Sequence, residues 1–173
     1  MPTLLCLLLL VQIDTSREAA APTVVEARLS FDGAFEVDLY TDLDALLLGL
    51  SPVAPASRRL LAMESLRRAG REAEDEAVAR LTDLLRRRLR LRFDGEAAPF
   101  EIAFPERRAT GGGELLTLGS FARLCGTAPA GARAFTFFAS RSFRGVELRV
   151  RAGDRGSREV LEPGAASAPV DLP

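Results

Sequence analysis

"VEARLSFDGAFEVDL", from Val25 to Leu39, alternates apolar and polar residues on both sides of an Asp-Gly pair. A period of two places Val25, Ala27, Leu29 and Phe31 on one face and Glu26, Arg28 and Ser30 on the other, the signature of a half-buried strand. Asp32-Gly33 is tight-turn chemistry, and Phe35, Val37 and Leu39 resume the alternation on a returning strand. The chain therefore opens with a β-hairpin, and a hairpin with one apolar face needs a second layer to cover it.

Later segments repeat this device around one helical excursion. "SPVAPAS" (Ser51 to Ser57) is a proline-interrupted connector, after which Leu60, Leu61 and Leu66 suit a short helix ending near Gly70. Val78, Leu81, Leu84 and Leu85 suit a second helix, opened by the acidic "EAEDE". A second "FDG" at Phe93 to Gly95 predicts another hairpin turn, followed by strand candidates in "PFEIAFPE", "LLTLGSFARLCG", "ARAFTFFAS", "GVELRVRAG" and "REVLEP". "RRATGGGE" (Arg107 to Glu114) reads as a loop, and its glycines are not followed by the Lys-Ser/Thr of a phosphate cradle.

About eight short strands predict a mostly β fold: an antiparallel immunoglobulin-like β-sandwich carrying a helical pair, about 56–88, between early strands. Phe100, Ile102, Phe104, Phe135, Phe137 and Phe138 are its expected aromatic and aliphatic core. The expected organisation is a leader over 1–21, one domain over 22–163, and an extended tail or linker over 164–173.

Two clusters are candidate sites. Asp38, Asp42 and Asp44 stand within seven residues. Thr41 followed by Asp44 has the spacing of a helix N-cap with an acid in the first turn, where carboxylates meet free N–H groups and the helix dipole. The alternative is a hard-cation, calcium-type module using the three aspartates, although the chain turns apolar where a calcium loop would continue its oxygen ligands. The second cluster is "RRRLRLRF": between Ala56 and Phe93 the chain has 11 Arg against 6 acidic residues. Arg86, Arg87, Arg88, Arg90 and Arg92 are candidates for contact with an anionic partner. Their plainer reading is a cationic last helical turn followed by a strand with Leu89, Leu91 and Phe93 inward and Arg90 and Arg92 in water.

Composition narrows the chemistry. There is no His, no Lys and no Trp, so Ser-His and Cys-His dyads, imidazole metal ligands, Schiff bases and P-loop lysines are all excluded. Carboxylates alone remain for acid and base work, and a carboxylate-based hydrolase is the enzymatic alternative, with no pair in a distinctive motif. No catalytic residue and no cofactor is expected. The apolar run "LLCLLLLV" (Leu4 to Val11) followed by "AAA" at Ala19 to Ala21 reads as a signal peptide, which predicts export to the periplasm or cell envelope. Losing Arg17, Asp14 and Glu18 from 23 basic and 24 acidic residues leaves a formally neutral domain, which argues against nucleic acid as partner. It also leaves Cys125 alone, so no internal disulfide is possible and the thiol is expected to be a small buried apolar residue.

Four segments carry a family resemblance: "LSFDGAFEVDLYTDLDALLLG", "LRLRFDGEAAPFEIAFP", "GTAPAGARAFTFFASRSF" and "LEPGAASAPVDL". They resemble the exported N-terminal domain of bacterial HupE/UreJ-type membrane proteins. That resemblance implies a signal peptide, an extracytoplasmic β-rich domain and then a helical membrane domain linked to nickel or cobalt handling. This chain ends at Pro173, where such proteins enter their first span, and it has no His for a borderline cation. The expectation is a non-catalytic exported domain that acts through protein contacts, its partner another protein or its own membrane domain.

Overall fold

The computed structural model describes residues 23–51, 54–107, 116–143 and 145–172. The predicted leader 1–21 and most of the glycine-rich loop lie outside the described residues. The alternation around the first Asp-Gly pair folds into β1 (Thr23–Leu29) and β2 (Ala34–Tyr40), antiparallel, with Val25 opposite Leu39 and Leu29 opposite Phe35. Between them Gly33 donates to the Ser30 carbonyl at 3.1 Å with φ of 84°, and Ser30 donates to Ala34 at 2.9 Å. This is a three-residue loop with glycine in the left-handed position. The loop breaks the alternation before Phe31, so Phe31 is 79% exposed instead of facing the core, and its ring lies against Gly153.

The second Phe-Asp-Gly makes a different turn. It joins β3 (Leu89–Phe93) to β4 (Glu96–Ala97) with Phe93 opposite Glu96, so only Asp94 and Gly95 form the loop, at φ of 49° and 87°. Two consecutive positive φ angles mark a type I′ turn, which an aspartate tolerates better than most residues. The Asp94 carboxylate accepts hydrogen bonds from the Arg133 and Ala134 backbone N–H groups at 3.1 and 2.9 Å, which fixes the turn against the neighbouring strand.

The remaining elements are α1 (Leu43–Leu47), α2 (Ala56–Ala69), α3 (Arg71–Arg88), β5 (Glu101–Ala103), β6 (Phe121–Thr127), β7 (Ala134–Ala139), β8 (Val146–Ala152), β9 (Arg155–Leu161) and β10 (Val170–Asp171). They form two sheets, in the orders β5-β6-β2-β1-β8-β9 and β10-β7-β3-β4. The fold is mostly β, as the turn-marked alternation predicts. The expectation of a purely antiparallel arrangement is corrected: β1 pairs with β8 in parallel, Thr23 beside Val146 and Leu29 beside Ala152. Alternation fixes which face of a strand is buried but carries no information about which strand lies beside it. The segment expected as an extended tail runs along β7, with Val170 opposite Phe135 and the Ser167 hydroxyl accepting from the Phe137 N–H at 3.0 Å.

The sheets share one buried cluster. Phe35 of the larger sheet and Phe93 of the smaller have ring centroids 5.4 Å apart, and Phe93 and Phe135 lie 5.3 Å apart. Phe135 and Phe137 are fully buried, but Phe138 faces outward opposite Arg90, because neighbouring residues of a strand cannot share a face. Ile102 on the edge strand β5, and Phe100 and Phe104 on either side of that strand, pack against the core while remaining partly exposed.

The helical pair closes one part of this core. α3 buries Glu74, Ala77, Val78, Leu81 and Leu85 at helical spacing and packs against α1 and α2. α2 buries Met63 alone; Leu60 and Leu61, expected on its apolar face, are 58% and 69% exposed. Gly70, at φ of 92°, separates the two helices.

Gly126 stands on β6 directly opposite Phe35. A Cβ there would meet the Phe35 ring and lie 2.8 Å from the Pro99 carbonyl oxygen, so the aromatic joint between the sheets needs glycine beneath it. Gly126→Ala is expected to cost about 1–3 kcal/mol by overpacking, measured by urea unfolding, with an unchanged slope.

Candidate interaction surfaces

The three candidate aspartates reach three different environments. Asp38 is on the outer side of β2 yet only 1% exposed, because two guanidinium groups cover it. Arg123 of β6 binds it with two hydrogen bonds, from Nε to Oδ1 at 2.7 Å and from Nη2 to Oδ2 at 3.0 Å, and Arg28 of β1 donates to Oδ2 as well. Asp42, not Thr41, caps α1: its Oδ1 accepts from the Ala45 N–H at 2.9 Å, and its Oδ2 receives Arg59 of α2 at 2.6 Å. Thr41 is turned away toward the Thr23 hydroxyl, 3.2 Å distant. Asp44 lies in the first turn of α1, as its spacing predicts, beside the Leu118 N–H at 3.4 Å. Among the described residues no group of three or more His, Cys, Asp or Glu is placed to hold a metal ion.

Electrostatics follow from these partners. Burial alone pushes the Asp38 carboxyl up, but hydrogen bonds and charge from Arg123 and Arg28 outweigh it and hold the group below the usual carboxylate range. Asp44 goes the other way, raised by burial and by the Asp42 charge, with the Leu118 N–H only partly compensating. Cys125, outward and half-buried on β6 instead of lying in the core, is kept as a thiol by burial and by the neighbouring Glu36 charge.

Around Asp38 the outer face of the larger sheet is a ladder of matched charges, which strand alternation alone did not reveal. Glu36 joins Arg28 and Arg123. Two strands further on, Arg149 reaches Glu26 at 2.8 Å and Glu147 at 2.7 Å, and Arg158 of β9 reaches the same Glu147 oxygen at 2.9 Å. Both arginines hold the Glu147 carboxyl below its ordinary value. The signal was present in the sequence as charges at outward positions, but pairing them needs the register of five strands.

The arginine run divides where helix becomes strand. Arg86, Arg87 and Arg88 form the last turn of α3, where cations meet the free carbonyl groups; Arg86 approaches Asp83 at 3.9 Å, and the Arg88 carbonyl accepts the Ser140 N–H at 2.8 Å. Arg90 and Arg92 are exposed on the outer side of β3, opposite Phe138 and Thr136 of β7. Among the described residues neither has an ion-pair partner. The outer face of the smaller sheet thus presents free guanidinium groups beside a partly exposed aromatic ring, while most arginines of the larger sheet are neutralised in place.

No family model matches this chain, and no curated protein is significantly similar to it. Among the described residues no helix is long and apolar enough to cross a membrane.

Asp38→Asn should lower stability at neutral pH by about 2–3 kcal/mol, the lower side of the cost of breaking a buried pair, because both guanidinium groups still reach water. A carboxyl with a depressed folded-state value contributes stability that is present above its unfolded value of about 3.9 and lost as the pH falls through the lower folded one. Thermal unfolding of both proteins should therefore show the gap between them closing below about pH 4.

Proposed function

We propose that the chain is a non-catalytic exported domain that acts by protein contact, using the outer face of the smaller sheet. The observation that carries this reading is the pair Arg90 and Arg92: two exposed guanidinium groups on a strand, unpaired among the described residues, with Phe138 between the cations and the sheet edge. Planar guanidinium groups next to an aromatic ring suit a protein surface that offers carboxylates and an apolar side chain. Arg86 and Arg87, exposed on the adjoining end of α3, extend the cationic surface.

Two packed sheets with an outward face free for binding suit an immunoglobulin-like sandwich, and we read the fold as a variant of that type with a helical insertion. The apolar run Leu4 to Val11 and the missing catalytic residue types support export and a contact role. The resemblance to HupE/UreJ-type proteins makes the membrane domain of a larger chain, or a separate envelope protein, the natural partner class.

Expression of the native gene followed by fractionation tests the location: recovery in the envelope or periplasm is expected, and a full-length cytoplasmic product would overturn the proposal. Arg90→Glu combined with Arg92→Glu should weaken cross-linking to the envelope partner at least tenfold. Stability should shift by no more than about 0.5 kcal/mol, as for exposed residues without structural bonds.

A further inference from the structure

The outer face of the larger sheet holds one arginine that its charge ladder leaves out. In the β1–β8 register Arg28 stands directly beside Arg151, and in the β8–β9 register Arg151 faces Gly156. Arg28 is drawn toward Glu36 and Asp38 on its other side. Arg151 is exposed and has no ion-pair partner among the described residues. Like charges side by side on neighbouring strands destabilise a sheet unless a counter-charge sits between them.

The same face supplies that counter-charge one rung away. Arg149 and Arg158 are also directly opposed, and Glu147 bridges them, at 2.7 and 2.9 Å. At the Arg151 rung the residue opposite on β9 is Gly156, which has no side chain to lie beside the guanidinium group. That missing side chain helps leave a hollow of about 470 Å³ open to solvent, lined among the described residues by Arg28, Arg149, Arg151, Arg158 and Glu26. Three of the four guanidinium groups are ion-paired at one side, Arg28 with Glu36 and Asp38, Arg149 with Glu26 and Glu147, and Arg158 with Glu147, so the uncompensated charge of the hollow is that of Arg151.

The geometry points to this hollow as a binding site for a phosphate-bearing ligand, held by Arg151 together with the outward edges of Arg28, Arg149 and Arg158. A phosphate monoester carries more charge than a carboxylate and has three terminal oxygens for several guanidinium forks. The open volume beyond it accommodates the rest of a phosphate ester or a lipid headgroup. This site lies on the opposite sheet from Arg90 and Arg92, so it stands or falls independently of the contact proposed there.

Thermal unfolding of the full chain at constant pH and ionic strength, with phosphate or glycerol 3-phosphate replacing chloride, tests the assignment. A saturable rise of about 3–5 °C is expected at ligand concentrations tenfold above the dissociation constant. Arg151→Ala should melt in chloride at or slightly above the temperature of the unsubstituted protein, because a like-charge neighbour of Arg28 is removed, and should lose the rise. Gly156→Glu places a carboxylate in the hollow, where a new Cβ would meet only the Val150 carbonyl oxygen at 3.9 Å. It should raise the melting temperature in chloride and abolish the response to phosphate. Binding to phosphatidylglycerol vesicles but not to phosphatidylcholine, lost in Arg151→Ala, would identify a lipid headgroup as the source; a response to the soluble esters alone would identify a free one. An equal rise in Arg151→Ala, or no response to either esters or anionic vesicles, would overturn the site.

Discussion

Contact between Phe35 and Phe93 joins the two sheets, and much of the architecture can be read as what that contact requires. The rings approach from opposite layers, and Phe135 extends the stack along the smaller sheet. Phe35 can lie flat against β6 only because Gly126 is its cross-strand neighbour, and the Pro99 carbonyl closes the space from the far side. The turns on either side of this joint are the two Phe-Asp-Gly sequences, one placing Phe35 just beyond its loop and the other placing Phe93 just before it. Both therefore act as register devices: a slip of one residue in either hairpin would turn its phenylalanine out of the core.

Sequence patterning showed the strands better than their partners. Outward and inward positions on β1, β2 and β3 followed directly from period two, and the helical pair followed from the change to a period near 3.6. Phe31 and Phe138 show where that logic stops. Phe31 fits the alternation but falls inside a turn whose hydrogen bonds override it, and Phe138 is one of two adjacent aromatics of which a strand can bury only one. Parallel pairing of β1 with β8 was illegible for a different reason. It joins segments separated by more than a hundred residues, and nothing local to either segment encodes the other.

The aspartates make the same point for chemistry. Their spacing over Asp38, Asp42 and Asp44 suggests one site, yet a strand end and a helix start separate them in space. The start of α1 could be read locally, with Asp44 in its first turn, but the capping group stands one residue beyond the expected Thr41: the Asp42 carboxylate accepts the Ala45 N–H. The ion triad could not be read locally, because Arg28 and Arg123 come from strands on either side. Asp42 shows how both kinds of information meet in one residue: one oxygen closes α1 and the other anchors α2 through Arg59. That double use ties the helical excursion to the hairpin it interrupts.

Charge balance on the two outer faces supplies the strongest functional contrast. On the larger sheet, Asp38 and Glu147 each collect two arginines, so the charge of those guanidinium groups is balanced in place. Such a face is stable and electrically quiet, apart from Arg151 beside the glycine. On the smaller sheet no carboxylate among the described residues forms an ion pair with Arg90 or Arg92, although acidic residues are abundant elsewhere in the chain. A sequence that neutralises its arginines across five strands and leaves these free distributes charge unevenly between two otherwise similar surfaces. A free guanidinium group can take up a partner's carboxylate directly, whereas one already engaged must first give up its own counter-charge. That contrast between paired and unpaired arginines is what supports the smaller sheet as the proposed contact face.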